Sequence, residues 1–173
     1  MLIALLIRLD SPGSVLFRQR RVGRNGRPFE MLKFRTMVRD AEGMADGLRH
    51  RSNDPHWLLL DEDPRVTRVG RILRRTSLDE LPQLWQVLRG QMSLVGPRPL
   101  TEEDQCHVPA WGAPRAKVLP GLTGLWQVEG RTRISFEDMI RLDCRYVHNW
   151  SLREDLLLLV RTVPALLTGR GAN

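Results

Sequence analysis

The spacing of apolar positions changes several times along this chain, and each change marks a new element. The opening run Met1-Leu2-Ile3-Ala4-Leu5-Leu6-Ile7 reads either as the tail of a longer hydrophobic element or as a first core helix or strand. It is too short to cross a bilayer, which takes about 20 apolar residues, and it lacks the charged leader of a signal peptide. Asp10-Ser11-Pro12-Gly13 breaks the pattern, because proline bars a continuing helix and glycine frees the turn. Over residues 14–22 the period becomes that of a strand, with Val15, Phe17, Gln19 and Arg21 alternating against Leu16, Arg18, Arg20 and Val22. Asn25-Gly26 tolerates the positive φ of a tight hairpin turn, and residues 29–35 return as the second strand.

Helical spacing follows. Val38, Ala41, Met44, Ala45 and Leu48 predict an amphipathic helix over 37–49, and residues 50–64 read as a polar loop. From Arg65 onward, Val66, Val69, Ile72 and Leu73 form one stripe while Arg68, Arg71, Arg74 and Arg75 cover the rest, which defines a strongly basic amphipathic helix. Leu81, Leu84, Trp85 and Leu88 make a second stripe that stops at Gly90. Gly96-Pro97-Arg98-Pro99 must be a rigid loop. Residues 101–117 read as irregular, Pro120-Gly121-Leu122-Thr123-Gly124 as a turn, and Leu125-Trp126-Gln127-Val128 as a short buried strand or turn. Phe136 to Tyr146 is a helix capped by Ser135, with Phe136, Met139, Ile140, Asp143 and Tyr146 on one face. A last helix over 152–167 is kinked or ended near Pro164. The class this predicts is α+β: mainly amphipathic helices with a small β-hairpin, in one domain over residues 1–173.

Composition sharpens this only in part. At 173 residues, with 42% hydrophobic and 27% charged positions, the chain can bury a core and is not a disordered or disulfide-scaffold protein. The formal charge is +7, so an anionic partner is indicated: nucleic acid, an acidic membrane surface or phosphorylated molecules. Lys33 and Lys117 are the only lysines, and arginine's planar fork suits phosphate; a GC-rich genome would give the same bias. Cys106 and Cys144 suggest neither a zinc site nor a disulfide framework, and His50, His56, His107 and His148 lack ligand spacing. Trp57, Trp111 and Trp150 suit either a membrane interface or packing. Arg20, Arg21, Arg24 and Arg27 suit solvated surface or lipid headgroups.

The densest candidate chemistry is Arg74-Arg75-Thr76-Ser77-Leu78-Asp79-Glu80-Leu81-Pro82-Gln83. Ser77 and Glu80 have capping-box spacing, but Pro82 fits better when Asp79 is the N-cap. Asp79 would then sit at the positive end of a helix beside arginines. With an ordinary aspartate pKa near 3.9, it would be more than about 99% ionised at neutral pH. An ionised aspartate beside a phosphate site can attack phosphorus, and Glu80 can hold Mg²⁺ as a hard oxygen ligand. The bland alternative is a pair of carboxylates that only compensates a helix dipole.

These residues carry a resemblance. With Leu9-Asp10-Ser11-Pro12-Gly13, Phe17-Arg18-Gln19, Lys33-Phe34-Arg35-Thr36-Met37, Asp63-Pro64-Arg65, Ser77 to Leu84, Met92 to Pro99, Pro120 to Val128, Tyr146 and Trp150-Ser151-Leu152, the chain resembles the bacterial sugar transferases. These are monotopic phosphoglycosyl transferases that start lipid-linked glycan assembly on polyprenyl phosphate.

The resemblance implies a two-step exchange at the cytoplasmic face of the bacterial inner membrane. Asp79 attacks the sugar-bearing phosphate of a UDP-sugar, UMP leaves, and polyprenyl (undecaprenyl) phosphate takes the phosphosugar. It implies Mg²⁺ with Glu80, and a substrate-binding set of Arg74, Arg98, Pro97, Pro99, Lys33 and Arg35. Residues 1–9 would be the remnant of a membrane helix that enters the bilayer and turns back, most of which this sequence does not include. UDP-glucose or UDP-galactose is the indicated donor, the product initiates exopolysaccharide, capsule or O-antigen synthesis, and a homodimer stays open beside a monomer. The competing class is a basic nucleic-acid-binding module using the helix over 65–75. That helix lacks the stacking aromatics of single-strand binders, so no nucleic-acid partner is expected.

Overall fold

The computed structural model describes residues 2–52, 58, 60, 62–129 and 134–167. The expected hairpin is present: β1 (Leu16–Val22) and β2 (Pro28–Phe34) pair antiparallel, with Leu16 opposite Phe34 and Val22 opposite Pro28. Its turn is a 3-10 segment, Arg24–Gly26, in which Asn25 and Gly26 take left-handed φ of 57° and 75°. One face of the hairpin carries Phe17, Gln19 and Arg21 opposite Lys33, Met31 and Phe29. Phe29 and Met31 are buried there with Met92.

Two helices are joined through the Leu9-Asp10-Ser11-Pro12-Gly13 block. Helix α1 (Leu2–Asp10) ends where Asp10 Oδ2 accepts the Val69 N–H at 2.9 Å, in the first turn of the helix over Arg68–Thr76. Thr67 caps the same end by accepting the Gly70 N–H at 3.0 Å. The expected helix over 37–49 is largely absent, because its first residues are taken up by pairing. Met37 bridges Val66, and the Val38 N–H donates to the Arg65 carbonyl at 2.9 Å. Only α2 (Ala45–Leu48) is helical there, followed by a 3-10 turn over Arg49–Arg51. Of the loop expected over 50–64, residues 53–57, 59 and 61 lie outside the described residues.

Helix α3 (Arg68–Thr76) is the basic helix that the arginine spacing predicted. It crosses residue 36 so closely that a Cβ on Gly70 would run into the Thr36 carbonyl. Gly70→Ala is therefore expected to cost about 1–3 kcal/mol by overpacking, although alanine is the better helix former by about 1 kcal/mol. A denaturant midpoint equal to wild type would contradict this close approach.

Helix α4 (Leu84–Leu88) follows a 3-10 segment and ends before Gly90, whose φ of 69° confirms the expected stop. Its stripe faces outward: Trp85 is 50% and Leu88 80% exposed. Residues 101–117, read as irregular, contain α5 (Glu102–Cys106) and a 3-10 segment, Ala110–Lys117. A complete capping box between Thr101 and Asp104 starts α5. Strands β3 (Ser93–Val95) and β4 (Gly121–Thr123) pair parallel. Gly96 and Gly121 must both be glycine, since a Cβ on Gly121 would meet the Gly96 nitrogen. Leu125–Glu129 is a helix, α6, rather than a strand or turn, because the Gln127 and Val128 N–H groups bond back to the Gly124 carbonyl.

Helix α7 (Phe136–His148) begins at Ser135, whose Oγ accepts the Asp138 N–H at 3.1 Å, and it buries the expected face. Helix α8 (Leu152–Leu167) continues through Pro164. One core unites Leu100, Trp126, Phe136, Met139, Ile140 and Cys144, and a second unites Val95, Leu125, Tyr146 and Leu158. Together these packings set the 97–100 loop against the hairpin and α6. No helix among the described residues is long and apolar enough to cross a membrane.

Candidate active site

The site begins where α3 ends. Ser77 takes left-handed φ, 53°, and its N–H donates to the Arg74 carbonyl at 3.0 Å, which stops the α-helix. The chain then tightens into a 3-10 segment, Leu78–Gln83, that accommodates Pro82. Asp79 is thus the second residue of a 3-10 turn and not a helix N-cap, and the Ser77 side chain makes no cap hydrogen bond. Packing this segment against β2 buries Asp79 to 7% exposure.

Burial is the dominant influence on Asp79. It pushes the carboxyl up to about 6, Lys33 and Arg74 pull it down, and Glu80 adds to the rise. The expectation of an ordinary or lowered pKa is corrected, since desolvation outweighs the cations. At pH 7 roughly 90% is still ionised. Arg74 is half-buried and feels both Asp79 and Asp63; burial holds its guanidinium below the usual value.

Beside Asp79 opens a cleft lined by Lys33, Glu80, Gln83, Arg98, Pro99 and Gln127, among others. Lys33 Nζ donates to Glu80 Oε1 at 2.7 Å, both side chains about one-fifth exposed. The Arg98 guanidinium lies over the Trp126 ring, 4.3 Å from its centroid. Pro97 lies on the far side of the loop, lining a second depression with Arg98 and Arg115. Lys33, Glu80, Arg98 and Pro99 therefore share one cleft, with Asp79 and Arg74 adjoining it. Arg35 is elsewhere: its Nη1 and Nη2 donate to the Pro12 and Ser11 carbonyls, both at 2.6 Å, and hold the turn after α1.

Sequence reasoning missed Arg21 as a cleft residue. It is not solvated surface: Nη1 donates to the Pro99 carbonyl at 3.1 Å, and burial and Arg98 lower its pKa to about 10. Its signal was the alternation, which puts Arg21 on the same strand face as Phe17 and Gln19 while Arg18 and Arg20 point outward. Gln83, 3% exposed with a buried Nε2 lacking a protein partner, was quoted only as part of a motif. Arg115 and Asp143, a buried ion pair at 2.9 Å behind the Arg98 loop, carried no local signal as a pair.

A buried carboxylate adjoining a cleft of guanidinium and ammonium groups is the layout of a phosphate-transferring site. The chain belongs to the bacterial sugar transferase family, whose profile matches residues 1–169, and it is a phosphoglycosyl transferase. It is 41% identical to the exopolysaccharide production protein ExoY of Rhizobium meliloti over 99% of this chain and 78% of that protein. It is 48% identical to the UDP-glucose:undecaprenyl-phosphate glucose-1-phosphate transferase of Caulobacter vibrioides, over 97% of this chain and 62% of that protein. Against the undecaprenyl-phosphate galactose phosphotransferase of Salmonella typhimurium it is 41% identical, over 92% of this chain and 35% of that protein.

Proposed function

We propose that this chain transfers a sugar-1-phosphate from a UDP-sugar to undecaprenyl phosphate through a phosphosugar carried on Asp79, as the first step of exopolysaccharide, capsule or O-antigen synthesis. The observation that carries this reading is the pairing of a buried carboxylate, Asp79, with a cleft bearing Lys33, Glu80 and Arg98. An Asp79 carboxylate oxygen attacks the sugar-bearing phosphorus, the bond from that phosphorus to the bridging oxygen breaks, and UMP departs with the electron pair. A phosphate oxygen of the lipid then attacks the same phosphorus, and the Asp79–phosphorus bond breaks to regenerate the carboxylate. A raised pKa makes Asp79 a better nucleophile than an ordinary aspartate while leaving it mostly ionised, so no general base is needed.

The chain's own residues divide the remaining work. Arg98, preordered over Trp126, grips the diphosphate, and Lys33 holds the Glu80 carboxylate at the cleft wall. Among the described residues no cluster of three His, Cys, Asp or Glu could hold a metal alone. Glu80 suits Mg²⁺ in its common mode, one or two carboxylates completed by substrate phosphates. When bound, Mg²⁺ would supply charge neutralisation at the diphosphate.

The place of action is the cytoplasmic face of the inner membrane, with the enzyme lying on it. The exposed apolar side chains of α1, α4 and α8, including Leu5, Leu88 and Val160, support this, as does the arginine-rich α3. The donor is UDP-glucose or UDP-galactose, in keeping with the names of the relatives. Incubation with a panel of UDP-sugars, Mg²⁺ and undecaprenyl phosphate, followed by UMP release, tests the reaction; no release with any donor refutes it. Arg98→Ala should raise the KM for the UDP-sugar about 10- to 100-fold, the worth of a charged hydrogen bond. An unchanged KM would make the loop merely structural.

A further inference from the structure

The carbonyls of residues 97–100 are pinned one after another. Pro97 accepts from the Gly121 N–H at 2.8 Å, Pro99 from Arg21 Nη1 at 3.1 Å, and Leu100 from the Val22 N–H at 2.8 Å. The Arg98 carbonyl accepts from Arg115 Nη2. Arg115 in turn places Nε and Nη2 on Asp143 Oδ2, at 3.0 and 2.9 Å. The Arg98 backbone also lowers the pKa of the same Asp143 carboxyl. One ion pair thus closes on the backbone carbonyl of a single cleft residue.

That pair is deeply buried, Arg115 at 5% and Asp143 at 1% exposure. Such a pair is weak as a stability device, because desolvating two charges costs about what their attraction returns, and an apolar replacement is often neutral or better. Burial also pushes the Asp143 carboxyl up to about 6 against the pull of Arg115. What the pair does supply is placement. With φ at 97 and 99 limited by proline, the Arg98 carbonyl held by Arg115 and its guanidinium over Trp126, little freedom remains to be lost on meeting an anion.

We propose that Arg115 and Asp143 are positioning residues that preorder Arg98 for the nucleotide diphosphate. The inference rests on the reading of Arg98 as a diphosphate ligand. Neither residue lines the Lys33–Glu80 cleft, and their effect passes through the Arg98 backbone.

The test compares Arg98→Ala, the double variant Arg115→Met/Asp143→Leu, the single variant Arg115→Lys, and the triple combination. Readouts are the dissociation constant for UDP by titration, KM and kcat with UDP-glucose and UDP-galactose, and the unfolding midpoint. The apolar double variant is expected to keep the wild-type unfolding midpoint yet weaken UDP binding and raise KM about tenfold, with kcat less affected. Adding the double change to Arg98→Ala should weaken binding no further than Arg98→Ala alone, because its effect passes through that side chain. Arg115→Lys keeps the charge beside Asp143 but loses the fork that reaches the Arg98 carbonyl. It should show the same loss if the double variant does not fold. Weakened binding by Arg98→Ala alone, with wild-type binding in a folded double variant or in Arg115→Lys, overturns the positioning role and leaves Arg98 as ligand. Wild-type binding by Arg98→Ala removes the Arg98 reading, and the positioning role with it.

Discussion

Asp79→Asn is expected to abolish phosphosugar transfer and, at pH 7.5, to make the protein more stable than wild type. The first effect follows from chemistry: an amide oxygen has no charge to deliver to phosphorus, so turnover should fall by more than about a thousandfold, as for loss of a covalent nucleophile. Stability responds in the other direction because burial raises the Asp79 carboxyl from 3.8 to about 6. Between those values Asp79 holds more of its proton in the native state than in the unfolded chain, so its contribution to wild-type stability declines as pH rises from about 4 to about 6 and then levels. At most about 3 kcal/mol is withheld this way at neutral pH. Asparagine carries no such penalty, so its advantage should be absent near pH 4, grow to pH 6 and stay constant above it.

A pH series of denaturant midpoints for both proteins checks the second effect, and intact-protein mass spectrometry with UDP-sugar and no lipid acceptor checks the first. Wild type should carry a phosphosugar on Asp79, and the variant none. In the same frame, wild-type kcat/KM should rise with pH through about 6. An adduct on another residue, or full turnover by Asp79→Asn, would sink the nucleophile. A variant less stable than wild type at pH 7.5 would show that the carboxylate is stabilised in place.

What could be read from the sequence was what depends on neighbours in the chain. The hairpin followed from alternation and Asn25-Gly26, and α7 from Ser135 and the Phe136, Met139, Ile140 face. The Arg74 to Gln83 constellation was visible because its residues are consecutive. Tertiary proximity was not visible. Asp79 looked ordinary because nothing local announces that β2 will pack over residues 78–83. The resemblance put Arg35 in the substrate-binding set and Arg21 read as solvated surface or a headgroup contact, yet the fold turns Arg35 onto Ser11 and Pro12 and Arg21 onto Pro99. The helical spacing over 37–49 was real, but pairing of Met37 with Val66 overrode it. Arg115 and Asp143 are 28 residues apart, and only the packing of the Ala110–Lys117 segment on α7 makes them a pair.

The double change Trp85→Glu/Leu88→Glu is expected to release the protein from lipid vesicles. Both side chains lie on α4, 50% and 80% exposed, next to Leu81 and Leu84 at 44% and 41%. A soluble surface scatters its exposed apolar residues singly, whereas a run such as this one marks a contact face. Arg89 stacks on Trp85, 4.7 Å from the ring centroid, which puts a cation at the edge of the apolar face, where lipid headgroups would lie. Burying these two side chains in acyl chains is worth about 3 kcal/mol together, or roughly a 100-fold change in partition. Two glutamates also repel an anionic surface, while each nearby arginine contributes about 1 kcal/mol of attraction at low salt. Sedimentation with vesicles containing anionic lipid, at low and high salt, separates the two contributions. The apolar loss should persist at high salt, and the arginine contribution should fade with screening. Since α1 and α8 also expose apolar side chains, equal sedimentation of the folded variant and wild type would mean that α4 is not part of the membrane face. A loss confined to low salt would reduce α4 to an electrostatic contact.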